Sequence, residues 1–159
     1  MKRKILIALI VLAAFVAGIK ALRYFWNPER AVMRYYEKHH TALEENLRAH
    51  FDHDEALITP AGVQSVDKYS LDGNHFVVYR ITGRGLVPSS QYYGLIYSPD
   101  DLPFPIMDVD ANPVTHELET LYPLNQISDT EWEWHEKKGD NRGLVRRIAP
   151  KWFFFETHF

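Results

Sequence analysis

The chain of 159 residues contains no cysteine. That absence excludes a disulfide scaffold, Cys-ligated zinc, an iron–sulfur cluster, a cysteine nucleophile and a lipid anchor on an N-terminal cysteine. There is no Asn-x-Ser/Thr sequon, P-loop lysine motif, dinucleotide-binding glycine pattern or Gly-x-Ser-x-Gly elbow. Nucleotide chemistry and a serine elbow therefore have no support in the sequence. Acidic residues are absent from the first 27 positions, while Lys2, Arg3, Lys4, Lys20 and Arg23 stand there, a local charge of +5. The total of −3 then leaves −8 for the remainder, too acidic in bulk for a nucleic-acid binder.

What is present at the N-terminus is an apolar run. Ile5 to Ile19 carries no charge, and if Lys20 snorkels the span reaches Leu22. Such a helix measures roughly 27 Å, close to the hydrocarbon thickness of a bilayer. Tyr24, Phe25 and Trp26 follow where it would leave the membrane, as interfacial aromatics do. The expectation is a signal anchor over residues 1–26, with cleavage near Gly18, Val16 and Gly18 taking the −3 and −1 positions, as the alternative. The basic N-terminal tail places the N-terminus in the cytoplasm and residues 27–159 outside it as one domain. The missing sequons and cysteines fit a bacterial envelope.

Residues 27–159 read as α+β. Asn27 is an N-cap, Pro28 suits the first helical position, and Glu29 complements the positive dipole end. Val32, Tyr35, Tyr36, His39, Leu43, Leu47 and His50 recur at steps of three and four, predicting a helix from Pro28 to about His50. Beyond Pro60 the pattern turns to strands: 63–69 and 75–81 around Leu71-Asp72-Gly73-Asn74, then 91–97, 130–136 and 151–159, with a shorter one at 144–148. The Gly/Pro/Ser-rich stretch 83–90 reads as a connection. Residues 102–129, with four prolines, read as mostly irregular with a short helix at 113–120. One long helix packed on a curved antiparallel sheet of four to six strands resembles the cystatin-like or NTF2-like outline, which implies a shape and no activity.

Two constellations stand out. Residues 137–151 gather Lys137, Lys138, Arg142, Arg146, Arg147 and Lys151 against Asp140 alone, a local +5 in an otherwise acidic domain. Arginine at this density grips carboxylate or phosphate groups, and Trp132 and Trp134 on one strand face add stacking. Arg142, Arg146, Arg147, Lys151, Trp132 and Trp134 are therefore the candidate contact residues for a protein or an anionic polymer. The bland reading is a solvated connection that protects a strand edge. The second constellation is His50, Asp52 and His53, imidazole and carboxylate ligands at a helix end, in a spacing that matches no named zinc motif. The sequence thus predicts a non-enzymatic, membrane-anchored extracytoplasmic interaction module without a cofactor. A metal-assisted hydrolase built on His50–Glu55 is the alternative.

Overall fold

The computed structural model describes residues 27–53, 55–71, 73–86, 89–104 and 123–159, together with the single positions 12, 15 and 18. The apolar N-terminal segment, its aromatic cluster Tyr24, Phe25 and Trp26, and the short helix expected at 113–120 lie outside the described residues. Among the described residues no helix is long and apolar enough to cross a membrane.

The domain is α+β, one helix packed on an open antiparallel sheet. Helix α1 spans Pro28–His53, 26 residues and about 39 Å at the usual rise. Its start is built as the sequence dictates: Asn27 Oδ1 accepts the Arg30 amide at 3.3 Å, and the Asn27 carbonyl accepts the Ala31 amide at 3.2 Å. Val32, Leu43 and Leu47 are the buried residues of its apolar stripe.

Seven strands follow: β1 (Ser65–Leu71), β2 (Asn74–Leu86), β3 (Ser89–Tyr97), β4 (Asn125–Ser128), β5 (Glu131–His135), β6 (Arg142–Ala149) and β7 (Trp152–His158). Their spatial order is β1-β2-β3-β7-β6-β5-β4, so the C-terminal strand lies at the centre. That position explains its composition. Trp152 and Phe154 are buried under the helix, while Phe153 and Phe155 are buried on the opposite face. A strand covered on both sides reads as an unbroken apolar run rather than an alternation. On the opposite face Phe104 stacks on Phe76 with ring centroids 4.4 Å apart, closing over Val78, Ile96 and Val145. Each fully buried phenylalanine on either face contributes on the order of 2–3 kcal/mol.

Among the described residues the sheet has seven strands, where four to six were expected. The addition is β4, whose four residues Asn125–Ser128 are all exposed and carry no apolar alternation to signal a strand. The supposed connection at 83–90 is largely strand, because β2 and β3 pair as far as Leu86 and Ser89. Glycine there is a packing device: a Cβ at Gly83 would lie 2.6 Å from the Tyr92 ring.

Antiparallel register arranges the helix face of the sheet in rows that run across five strands. One row is Arg84–Gln91–His158–Arg142–His135, and the next is Thr82–Tyr93–Glu156–Leu144–Glu133. The third is Tyr79–Leu95–Phe154–Arg146–Glu131. Tyr97 and Trp152 begin the last. The helix starts over the first rows, beside Thr82, Gly83, Arg84 and Tyr93, and ends over the last. The domain consequently has two distinct ends. At one stand Asn27, the β2–β3 tip and the β5–β6 turn. At the other stand the helix C-terminus, the β3 exit at Ser98 and the β6–β7 turn at Pro150-Lys151.

Candidate functional site

The basic run does not gather on one surface, because β6 alternates. Arg146 projects to the helix face, pairs with Glu29 of the first helical turn and with Glu131 at 3.6 Å, and lies 5.3 Å from the centre of the Phe154 ring. Arg147 projects to the other face. It pairs with Asp101 at 3.4 Å, donates to the Asp101 carbonyl at 3.0 Å, and covers the rings of Phe153 and Trp132 at 5.5 and 6.0 Å. Trp132 meets Phe153 edge-on with centroids 6.0 Å apart, and Trp134 is buried. Gly143, opposite Trp134 in the register, leaves room for the indole: any Cβ there would overlap its ring nitrogen. These four side chains therefore hold strands and helix together. Arg142 and the Lys151 ammonium make no ion pair among the described residues, and they stand at opposite ends of the domain.

The histidine region is tied down differently. His50 Nδ1 donates to the Glu55 carbonyl at 2.6 Å, which leaves Nε2 as the acceptor for the Lys68 ammonium at 3.3 Å. Both ring nitrogens are engaged, one of them by a cation. Asp52 and His53 are exposed on the last helical turn. Among the described residues no group of three His, Cys, Asp or Glu side chains is placed to hold a metal ion.

The structure instead opens a cleft of about 450 Å³ between the C-terminal half of α1 and the far end of the sheet. Leu47 and Trp152 are buried in it, Phe51 and Tyr97 line it, and Pro99 and Pro150 stiffen its edge. Glu44, Arg48 and Asp52, spaced by four on one helix face, supply one wall, and Lys151 stands on the other. Among the described residues none of these four charges forms an ion pair. Burial pushes the Tyr97 phenol up, and the carboxylates of Glu44 and Asp52 push it further.

The sheet-side wall is held rigidly. Lys151 and Asp101 both sit in the left-handed region, at φ 65° and 57°. Asp101 Oδ1 accepts the Lys151 amide at 2.8 Å, and the Lys151 carbonyl accepts the Ser98 amide at 2.9 Å. Ser98, buried, adds its hydroxyl as acceptor for the Leu102 amide at 3.0 Å. Two turns far apart in sequence are thus clamped, and the clamp fixes where Lys151 begins. Non-glycine residues in this conformation are held by their surroundings at a cost, a pattern common at binding sites.

Of the sequence candidates, only Lys151 and Asp52 belong to this cleft. Glu44, Arg48, Phe51 and Trp152 carry no site expectation in the sequence. The spacing of Glu44, Arg48 and Asp52, with Leu47 and Phe51 beside them at the same step, was the available signal. Family models, curated proteins and solved structures were each compared with the chain, and none matches it.

Proposed function

We propose that the protein is a membrane-tethered extracytoplasmic binding module of a bacterial envelope, and that its partner site is the cleft between the end of α1 and the β3 and β7 ends. The tether is the apolar segment 5–22, oriented by Lys2, Arg3 and Lys4. The observation that carries the reading is the set of four charges, Glu44, Arg48, Asp52 and Lys151, standing around an aromatic floor without an ion pair among the described residues. Two carboxylates and two cations complement a partner segment that presents both signs, and Phe51, Tyr97 and Trp152 take one apolar side chain between them. We assign the occupant as an extended peptide segment of another envelope protein. The cleft lies at the opposite end from Asn27, about a helix length away, so a partner reaches it without meeting the bilayer. Tethering raises the local concentration, so a weak interface suffices.

Photo-crosslinking in native membranes tests this. A photoreactive residue at Phe51, 39% exposed in the cleft, is compared with one at Ile58, 68% exposed outside it. The reading predicts a discrete protein adduct from position 51, absent at position 58 and lost on Lys151→Glu. Equal labelling from both positions contradicts it.

A further inference from the structure

Some cations of this domain are ion-paired and others are not: Arg34, Lys38, Arg48 and Lys151 form no ion pair among the described residues. Arg80, Arg146 and Arg147, toward the middle and far end of the sheet, each face a carboxylate. At the Asn27 end, Arg84, Lys137, Lys138 and Arg142 form no ion pair among the described residues. Arg84 donates to Gln91 Oε1 at 3.2 Å. The register explains their placement: Arg84 and Arg142 belong to one row that crosses five strands without an acid, and Lys137 and Lys138 occupy the turn just beyond it. Glu136 and Asp140 share that turn, and Glu136 is folded back over Gly139. The next row inward carries Glu156 and Glu133, which face His158 at 3.0 Å and His135 at 3.5 Å. At the opposite end Asp52, Glu55, Asp100, Asp101 and Asp129 outnumber Arg48, Lys68 and Lys151.

We infer that the Asn27 end is a lipid-docking surface: Arg84, Lys137, Lys138 and Arg142 rest on anionic phospholipid headgroups and hold the acidic, cleft-bearing end away from the bilayer. The inference rests on the tethered reading above and adds an orientation to it. If the span ends at Leu22, only residues 23–26 separate it from Asn27, and such a link reaches at most roughly 17 Å. The end of the domain that contains Asn27 is then within about two Debye lengths of the headgroups. A domain of net −8 is repelled from an anionic surface as a whole, and Arg84, Lys137, Lys138 and Arg142 turned toward the headgroups oppose that repulsion.

The test uses the full chain reconstituted in phosphatidylcholine vesicles with and without phosphatidylglycerol. A water-soluble acylating reagent modifies exposed lysines, and mass spectrometry reads the rate at Lys137 and Lys138 against Lys151 in the same molecules. Docking predicts that Lys137 and Lys138 react roughly fivefold to thirtyfold more slowly when phosphatidylglycerol is present, the shift that one or two cations at a lipid surface supply. High salt and the double variant Arg84→Glu, Arg142→Glu restore the faster rate, with Lys151 unchanged throughout. Retention on both vesicle types after alkaline carbonate, with equal lysine rates, overturns the docking and leaves the tether standing. Loss of the chain from both vesicle types overturns the tether and the docking with it.

Discussion

Asp101 and Lys151 face each other across two turns, and the carboxylate of the first accepts the amide of the second at 2.8 Å while both backbones hold a left-handed conformation. This pairing joins the β3 exit to the β6–β7 turn and sets one wall of the cleft. Asp101→Ala removes that acceptor and the partner of Arg147 together. A loss of about 1–2 kcal/mol is expected, since the groups are half-exposed, seen as a fall in Tm of about 4–8 °C. Lys151→Gly relieves the left-handed strain and raises stability by about 1 kcal/mol. A lower Tm for Lys151→Gly contradicts the strain argument.

Arg146 is a strut of the fold, so its charge reversal is read as stability. Arg146→Glu sets three carboxylates together, with Glu29 and Glu131, and separates the first turn of α1 from β6. The expected cost is about 2–3 kcal/mol in urea denaturation. Arg146→Met keeps the cover over Phe154 and costs about 1 kcal/mol or less. Equal costs for the two variants contradict the ionic role.

Tyr79 is fully buried, and its hydroxyl has no hydrogen-bond partner among the described residues. Burial holds its phenol far above the ordinary value near 10, with Tyr35 and Tyr97 adding to the effect. The folded state therefore keeps a proton that the unfolded chain releases above pH 10. The stability tied to this group is whole below pH 10 and is lost progressively as pH rises beyond it. Tyr79→Phe removes the unpaired hydroxyl, stabilises the domain by about 1 kcal/mol, and flattens the alkaline decline. Chemical denaturation repeated at increasing pH checks both effects, and a destabilised Tyr79→Phe sinks the assignment.

Trp134 and Gly143 form a fitted pair across β5 and β6. Trp134→Ala is expected to cost about 3–5 kcal/mol, and Gly143→Ala about 1–3 kcal/mol. In a Trp134→Leu background the Gly143→Ala cost shrinks, because the indole that fills the space is gone. Additive costs in the double-mutant cycle contradict direct packing.

Much of this fold is legible in the sequence. The Asn27-Pro28-Glu29 start, the Val32–Leu43–Leu47 stripe and the opposed faces of Trp152–Phe155 all follow from periodicity and capping. β4 escapes because an exposed four-residue edge leaves no hydrophobic pattern, and the end of the β2–β3 hairpin escapes because Gly83, which admits Tyr92, and Gly85, at φ 121°, look like breakers. The site was less legible for a definite reason. Arg146 and Arg147 are neighbours in sequence, yet a strand sends them to opposite faces, where each finds a carboxylate from a distant element. Conversely, Glu44, Arg48 and Lys151 meet only because β7 is central and α1 ends above it, a relation that no local spacing contains.

The two-ended arrangement is the centre of this account, and paired photo-crosslinking from Phe51 and Lys138 in the same native membranes tests it most directly. The account predicts a protein adduct from position 51 and a phospholipid adduct from position 138. Phospholipid at position 51, or the same protein captured at both positions, would contradict it.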